Sequence, residues 1–325
     1  MRRRTLILLG AAAAAWLTAT PALSQAVAPS WPQRTVRFIL PLGPGSGSDI
    51  GARLFAERLS TRWGQPVVIE NRPGGDGFVA ITAFLNAHDD HTLLFAPTST
   101  FTAHPVLHQK LPYDPRDLLP IARVTNTLIS VSVPASLKIG SLKELVALAQ
   151  ARPGKLNRAS ITGAVDLVLS GFLNSVDLDV AKVPYRDPVQ AVTDLAENRI
   201  QIYSSAFAIV QSQLQAGTIK ALAMTNQMRA PTAPDIPTAA EAGYPALTFD
   251  GLVGLFGPPN MAAALRESIA ADIRAVAADP GVQSRLIQTA QTLNPGTPAE
   301  FAAAINDQTG KLAAIAKALD VKPEP

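Results

Sequence analysis

The sequence predicts an α/β fold in two lobes that face each other across a cleft, a clamshell. Three observations predict it. Apolar runs of strand length alternate with longer amphipathic runs through most of the chain. A long extended stretch, Ile121–Val133, interrupts the alternation, which then starts again as a second unit. Turns rich in Gly, Pro and Ser follow the apolar runs, at the strand ends where open parallel sheets hold their ligands.

The first segment stands outside this fold. Arg2, Arg3 and Arg4 precede an apolar stretch from Leu6 to Ala19, then Pro21 and small residues. That is the pattern of a signal peptide over residues 1–26, with cleavage after Ser24 or Ala26 and the export route, Sec or twin-arginine, left open. Three of the 28 basic residues lie there and no acid does, so the mature chain balances at 25 against 25. Such a balance, without a polybasic run, argues against nucleic acid or an anionic membrane as partner. The absence of cysteine excludes disulfides, thiolate metal sites and a lipid-anchored cysteine. No later apolar run reaches the roughly 18 residues that span a bilayer. The expected product is a soluble protein outside the cytoplasmic membrane.

Val36–Leu40 reads as a short buried strand, broken by Pro41 and a Gly-, Pro- and Ser-rich turn. Asp49 follows as a candidate helix cap, ahead of the amphipathic run Ile50–Leu59. A strand, a glycine turn and a helix N-terminus together offer free amides and a positive dipole end, a site for an anion. Phosphate cofactors are disfavoured: from Gly43 the sixth position is Ser48, from Gly45 it is Ile50, and no lysine lies between Gly43 and Trp63. Neither Ser46 nor Ser48 has the glycine spacing of a nucleophile elbow.

Further strands are expected at Pro66–Glu70 and Thr92–Ala96, each followed by a turn, Asn71–Gly77 and Pro97–Thr100. In the second unit Ser141 and Glu144 form a capping box that opens a helix. Strands follow at Leu156–Ser160, Val180–Tyr185, Arg199–Ser205 and Ile219–Thr225, with Asp187 capping the helix after Tyr185. Pro231–Pro245 is loop-like, and Phe249–Gly257 returns to the first unit. Two helices complete the chain, one after Asn260 and one opened by Thr297 and Glu300.

Several motifs, in order and at these spacings, coincide with a known family. They include Pro44-Gly45 with Asp49, Gln65-Pro66-Val67-Val68 with Glu70-Asn71-Arg72-Pro73-Gly74, and Leu111-Pro112-Tyr113-Asp114-Pro115. Pro153-Gly154-Lys155-Leu156-Asn157, Val183-Pro184-Tyr185-Arg186, Thr193-Asp194-Leu195, Ala216-Gly217 and Pro234-Asp235-Ile236-Pro237-Thr238 with Glu241-Ala242-Gly243 continue the series. The chain resembles the extracytoplasmic solute receptors of tripartite tricarboxylate transporters, the TctC or Bug family, from Trp31 to the last helix. The resemblance implies a type II periplasmic-binding-protein fold with a central mixed sheet in each lobe. It also implies a monomer in the periplasm that uses no cofactor, captures a small organic carboxylate and docks on a two-component membrane permease. The lobes would divide as 27–126 with 227–325, and 127–226.

Carried over by position, the ligand would meet Leu42, Gly43, Gly45, Ser46, Ser48, Asp49, Thr98, Ser99 and Thr100 in the first lobe. In the second it would meet Ser160, Thr162, Gly163, Asp166, Tyr185, Arg186, Asp187 and Ser205. The chain departs from the family where the turn after Ser160 is about two residues shorter and Asp166 replaces a histidine. Asp187 and Pro188 replace glycines, and Ser205 replaces an aspartate. Asp166 and Asp187 together are expected to repel a second carboxylate, favouring a monocarboxylate, unless both serve as helix caps. Alternatives to a transport receptor are an orphan receptor for a signalling partner, or an enzyme acting on a carboxylate. No residues are expected to be catalytic, and His104 and His108, the one histidine pair at helical spacing, read as solvated loop residues without metal.

Overall fold

The computed structural model describes residues 31–161 and 163–324. The expected signal peptide and Thr162 lie outside the described residues. The chain first builds β1 (Val36–Leu40), α1 (Gly47–Trp63), β2 (Val67–Asn71), α2 (Phe78–Leu85) and β3 (Thr92–Pro97). Two single turns, α3 (Ser99–Thr102) and α4 (His104–Leu107), lead to β4 (Leu119–Thr127). The second lobe holds β5 (Ile129–Pro134), α5 (Leu142–Ala151), β6 (Leu156–Ser160), α6 (Ala164–Ser175) and β7 (Val180–Pro184). It continues with α7 (Pro188–Ala196), β8 (Tyr203–Ala206), α8 (Phe207–Gln215) and β9 (Ile219–Met224). The return comprises β10 (Gly251–Gly257), α9 (Ala263–Ala277), α10 (Pro280–Gln288), β11 (Gln291–Leu293) and α11 (Pro298–Ala318).

The first sheet has the order β11-β4-β10-β3-β1-β2. β1 runs parallel to β2 and β3, as strand–helix alternation requires, and β10 enters antiparallel between β3 and β4. β10 is buried along its whole length, and its Gly254 is there for space. A Cβ at that position would lie 2.2 Å from the Phe301 ring of α11. In the second lobe β5 pairs antiparallel with β8 and β9, while β6 and β7 pair in parallel. These are two separate small sheets, linked by an isolated parallel bridge from Arg158 to Ile202, rather than the single central sheet expected for this lobe.

Each lobe carries its own core. Phe38, Phe55, Leu59, Phe95, Leu255 and Ile273 fill the first lobe, and Leu195, Phe207 and Val210 one side of the second. The other side is not private to that lobe. Phe172 of α6 packs with Phe249, Leu312 and Ala316, so the end of α11 lies against the second lobe. Gly171 allows this approach, since a Cβ there would stand 2.7 Å from Ile315.

The extended run Ile121–Val133 proves to be two strands, with Leu128 between them where the chain changes sheets. The second crossing, Thr225–Asp250, lies beside it. Asn226, 2% exposed, clasps the two. Its side chain accepts from the Ile129 amide at 2.8 Å and donates to the Thr127 carbonyl at 2.9 Å and Asn126 at 3.1 Å. Gln308 of α11 donates to the Asp250 carbonyl at 2.8 Å, which ties the helix to the same crossing. Where two terminal helices were expected there are three and a short strand. Asp279-Pro280 ends α9, and the Asp279 carboxylate caps α10 through the Gly281 amide at 2.8 Å. The strand expected over Arg199–Ser205 is confined to Tyr203–Ala206.

Candidate functional site

The first glycine turn is closed by its own side chains. Ser46, not Asp49, is the N-cap of α1, and its hydroxyl accepts from the Asp49 amide at 3.3 Å. Asp49 turns back instead: its carboxylate accepts from the Gly45 amide at 2.9 Å, from Arg53 at 3.0 Å and from Asn71 at 2.9 Å. The same Asn71 amide reaches the Leu42 carbonyl at 2.9 Å, welding the end of β2 to the turn. Asp49 is only 2% exposed. Burial pushes its pKa up, but the bonds to Arg53, Gly45 and Asn71 outweigh it and hold the carboxyl below the ordinary aspartate value. A buried anion already occupies the place where the sequence suggested a ligand anion.

The cleft between the lobes lies beside this turn and encloses about 390 Å³, room for a small molecule. Leu42, Asp76, Pro97, Ser99 and Thr100 form the first-lobe wall. The second-lobe wall is drawn from Ala159 and Ile161, from the α6 start with Asp166 and Leu169, and from Tyr203 to Ala206 with Ile209, with Pro188 at its edge. Among the described residues no arginine or lysine lines it. Its polar surface consists of hydroxyls, two carboxylates and helix ends. Both α6 and α8 begin at the wall, with Gly163, Ala164 and Val165 at one start and Ser204, Ser205 and Ala206 at the other. Gly163, at the N-cap of α6, has no side chain to satisfy the first amides of that helix.

The structure thus gathers Leu42, Ser99, Thr100, Gly163, Asp166 and Ser205 around one space. It does not bring Gly43, Gly45, Ser46, Ser48 or Asp49 to the wall. Thr98 is fully buried beneath it, its hydroxyl donating to Gln308 of α11 at 2.6 Å. Ser160 lies at a neighbouring depression with Lys182 and Lys322. Tyr185 donates to Asp194 at 2.6 Å, and burial together with that bond pushes its pKa up to about 12. Arg186 and Asp187 are exposed, and the Asp187 carboxylate caps α7 through the Val189 amide at 2.9 Å. Asp76, Val165, Tyr203 and Ile209 are wall residues that the motifs gave no reason to choose, whereas Ile161 falls within the expected stretch from Ser160 to Gly163. The positive-φ turn Gly75-Asp76-Gly77 was the one available signal for Asp76.

Asp166 needs a correction of charge. Its carboxylate pairs with Arg158, which is 1% exposed, and lies 3.5 Å from Lys182. Arg158 also donates to Ser170 at 2.7 Å. Asp166 is therefore neutralised from behind, and with Asp187 engaged as a cap the expected repulsion of a second carboxylate loses its basis. His104 also differs from its sequence reading. It is 1% exposed, with Nδ1 2.8 Å from the Tyr113 hydroxyl and Nε2 3.0 Å from the Asp76 carbonyl.

A family model described as the tripartite tricarboxylate transporter family receptor matches residues 51–321. A UPF0065 protein of Bordetella bronchiseptica is 28% identical over 306 residues, covering 92% of this chain and 89% of its own. Among solved structures, that of R. palustris Rpa4515 with adipate is 25% identical with a TM-score of 0.79, over 91% of this chain and 100% of the other. MatC from Rhodopseudomonas palustris with bound malate is 25% identical with a TM-score of 0.73, over 88% of this chain and 100% of the other.

Proposed function

The chain belongs to the receptor family of tripartite tricarboxylate transporters, whose members are periplasmic solute-binding proteins, and we propose that it captures a small organic carboxylate in the cleft between its lobes. The observation that carries this reading is the α6 start. A helix whose N-cap is glycine presents its first amides and its positive dipole end at the cleft wall, the arrangement that suits a carboxylate where no cationic side chain is present. Ser204 and Ser205 add hydroxyl donors beside it, and Ser99 and Thr100 face them from the first lobe. The apolar stretch between, from Leu42, Pro97, Ile161 and Ile209, suits a short hydrocarbon chain.

With Asp166 paired to Arg158, dicarboxylates are admitted as readily as monocarboxylates. The adipate and malate of the two similar structures fit that expectation of ligand class. The loaded receptor delivers its ligand to a two-component membrane permease, from the periplasm and as a monomer. Thermal denaturation of the mature chain against a panel of linear mono- and dicarboxylates tests the reading. A true ligand at 100 times its Kd stabilises the protein by about 2.7 kcal/mol. A panel in which no carboxylate raises the melting temperature would rule this function out.

A further inference from the structure

Asp76, on the first-lobe wall of the cleft, meets buried His104 and meets His108, which lines the neighbouring depression. His104 opens α4 and His108 follows its last residue, the His108 amide bonded to the His104 carbonyl at 3.0 Å, and the two rings lie with centroids 5.4 Å apart. Asp76 is held at a left-handed φ of 51° between two glycines, which carries its carboxylate to the histidines. One Asp76 oxygen lies 3.4 Å from His104 Nε2 and 3.5 Å from His108 Nε2. All three donor atoms fall within 4.8 Å of one another.

These separations have a meaning. Two ligands of a tetrahedral zinc ion, each about 2.0–2.1 Å from the metal, stand about 3.3–3.4 Å apart. The two carboxylate–imidazole spacings are already close to that value. His104 is supported as a metal-binding imidazole is: Tyr113 stands at its Nδ1, where the phenol oxygen can accept the ring proton, and a cation at Nε2 takes over the place of the 3.0 Å contact with the Asp76 carbonyl. Phe78 packs against both rings, with centroids 4.5 and 5.1 Å away. His104 is buried, His108 half-buried, and Asp76 lies on the cleft wall.

We propose that Asp76, His104 and His108 form a site for a divalent transition cation such as zinc, with its open coordination position turned to the cleft. Two imidazoles and a carboxylate select such a cation over magnesium or calcium, which prefer all-oxygen shells. Three protein ligands leave the fourth position of a tetrahedron vacant. A carboxylate in the cleft can fill it, so the cation supplies the positive charge that the wall lacks. This last step rests on the carboxylate reading above, whereas the cation site itself does not.

Titration calorimetry of the mature chain with zinc chloride, with no carboxylate present, tests the site alone. One equivalent binds, magnesium chloride gives no heat, and His108→Ala weakens zinc binding at least about tenfold. His108 is the most accessible of the two histidines, and circular dichroism of the variant verifies its fold. Absence of zinc binding, or equal affinity in His108→Ala and wild type, overturns the site and leaves the trio as a brace of the Asp76 turn. Succinate is then titrated with and without zinc. At least tenfold tighter succinate binding with zinc, lost in His108→Ala, places the cation in the ligand site. Succinate that binds equally with and without zinc overturns that placement, while succinate binding itself still stands for the receptor reading.

Discussion

The two turns that flank the cleft are built from similar residues and do opposite things. The first-lobe turn, Leu42 to Asp49, is rich in Gly and Ser and opens a helix; so does the second-lobe turn at Gly163. In the first, Ser46, Asp49 and Asn71 consume one another's hydrogen-bonding capacity. In the second, a glycine sits at the N-cap and the helix start is left to whatever enters the cleft. Composition alone does not distinguish a binding turn from a welded one. The accounting of each amide and each acid does.

Arg158 separates the two turns most sharply. It underlies the open turn and holds Asp166. Arg158→Ala strands a carboxylate that is mostly buried, and chemical denaturation is expected to show a loss of about 3 kcal/mol. In the double variant with Asp166→Ala part of that loss returns, because the stranded charge is gone. A double variant no more stable than Arg158→Ala would mean that the arginine supports the fold by packing alone.

At the welded turn the effect falls on stability and spares the ligand. Asp49→Ala removes charge-assisted bonds from Gly45, Arg53 and Asn71 and is expected to cost about 2 kcal/mol, with Arg53 half exposed and free to find water. Because the folded pKa of Asp49 lies below its ordinary value of 3.8, this contribution is complete above that value and is withdrawn as pH falls through the folded pKa. Denaturation curves of wild type and variant therefore converge in acid. Carboxylate affinity at neutral pH stays unchanged, and a large loss of affinity would return this turn to the site.

The open turn predicts the reverse pattern. Ala164→Pro places proline at the first position of α6, where its fixed φ is compatible with the helix, the amide proton is lost and a ring carbon takes its place. Calorimetry is expected to show carboxylate affinity lowered about tenfold, the loss of one charge-assisted bond, with the melting temperature unchanged. A variant that binds as wild type does would close the comparison by making both turns scaffold.

Much of this fold was legible because its signals are local. The strands at Val36, Leu156 and Val180, and the caps at Ser141, Asp187 and Thr297, each declare themselves within a few residues. Family motifs carried the architecture for the same reason. Asp49 with Asn71, Tyr185 with Asp194, and Thr238 with Glu241 are internal bonds of the scaffold. The site was less legible because its wall is assembled from ends of elements far apart in sequence. Asp166 looked like bare charge because Arg158 precedes it on another element, and no spacing rule links the two. His104 looked solvated because nothing nearby in sequence announces that Asp76 and Tyr113 come to it.

The helix α11 extends past its own lobe, with Ile315 set over Gly171 and Ala316 among the second-lobe core residues. Two lobes joined by a pair of strands can tumble relative to one another; two lobes also strapped by a helix have fewer orientations to explore. Fewer orientations are then surrendered when a solute bridges the walls. Entropy that need not be lost at capture appears as tighter binding with no added contact. The far end of the chain, distant in sequence from every wall residue, sets part of the affinity of the cleft.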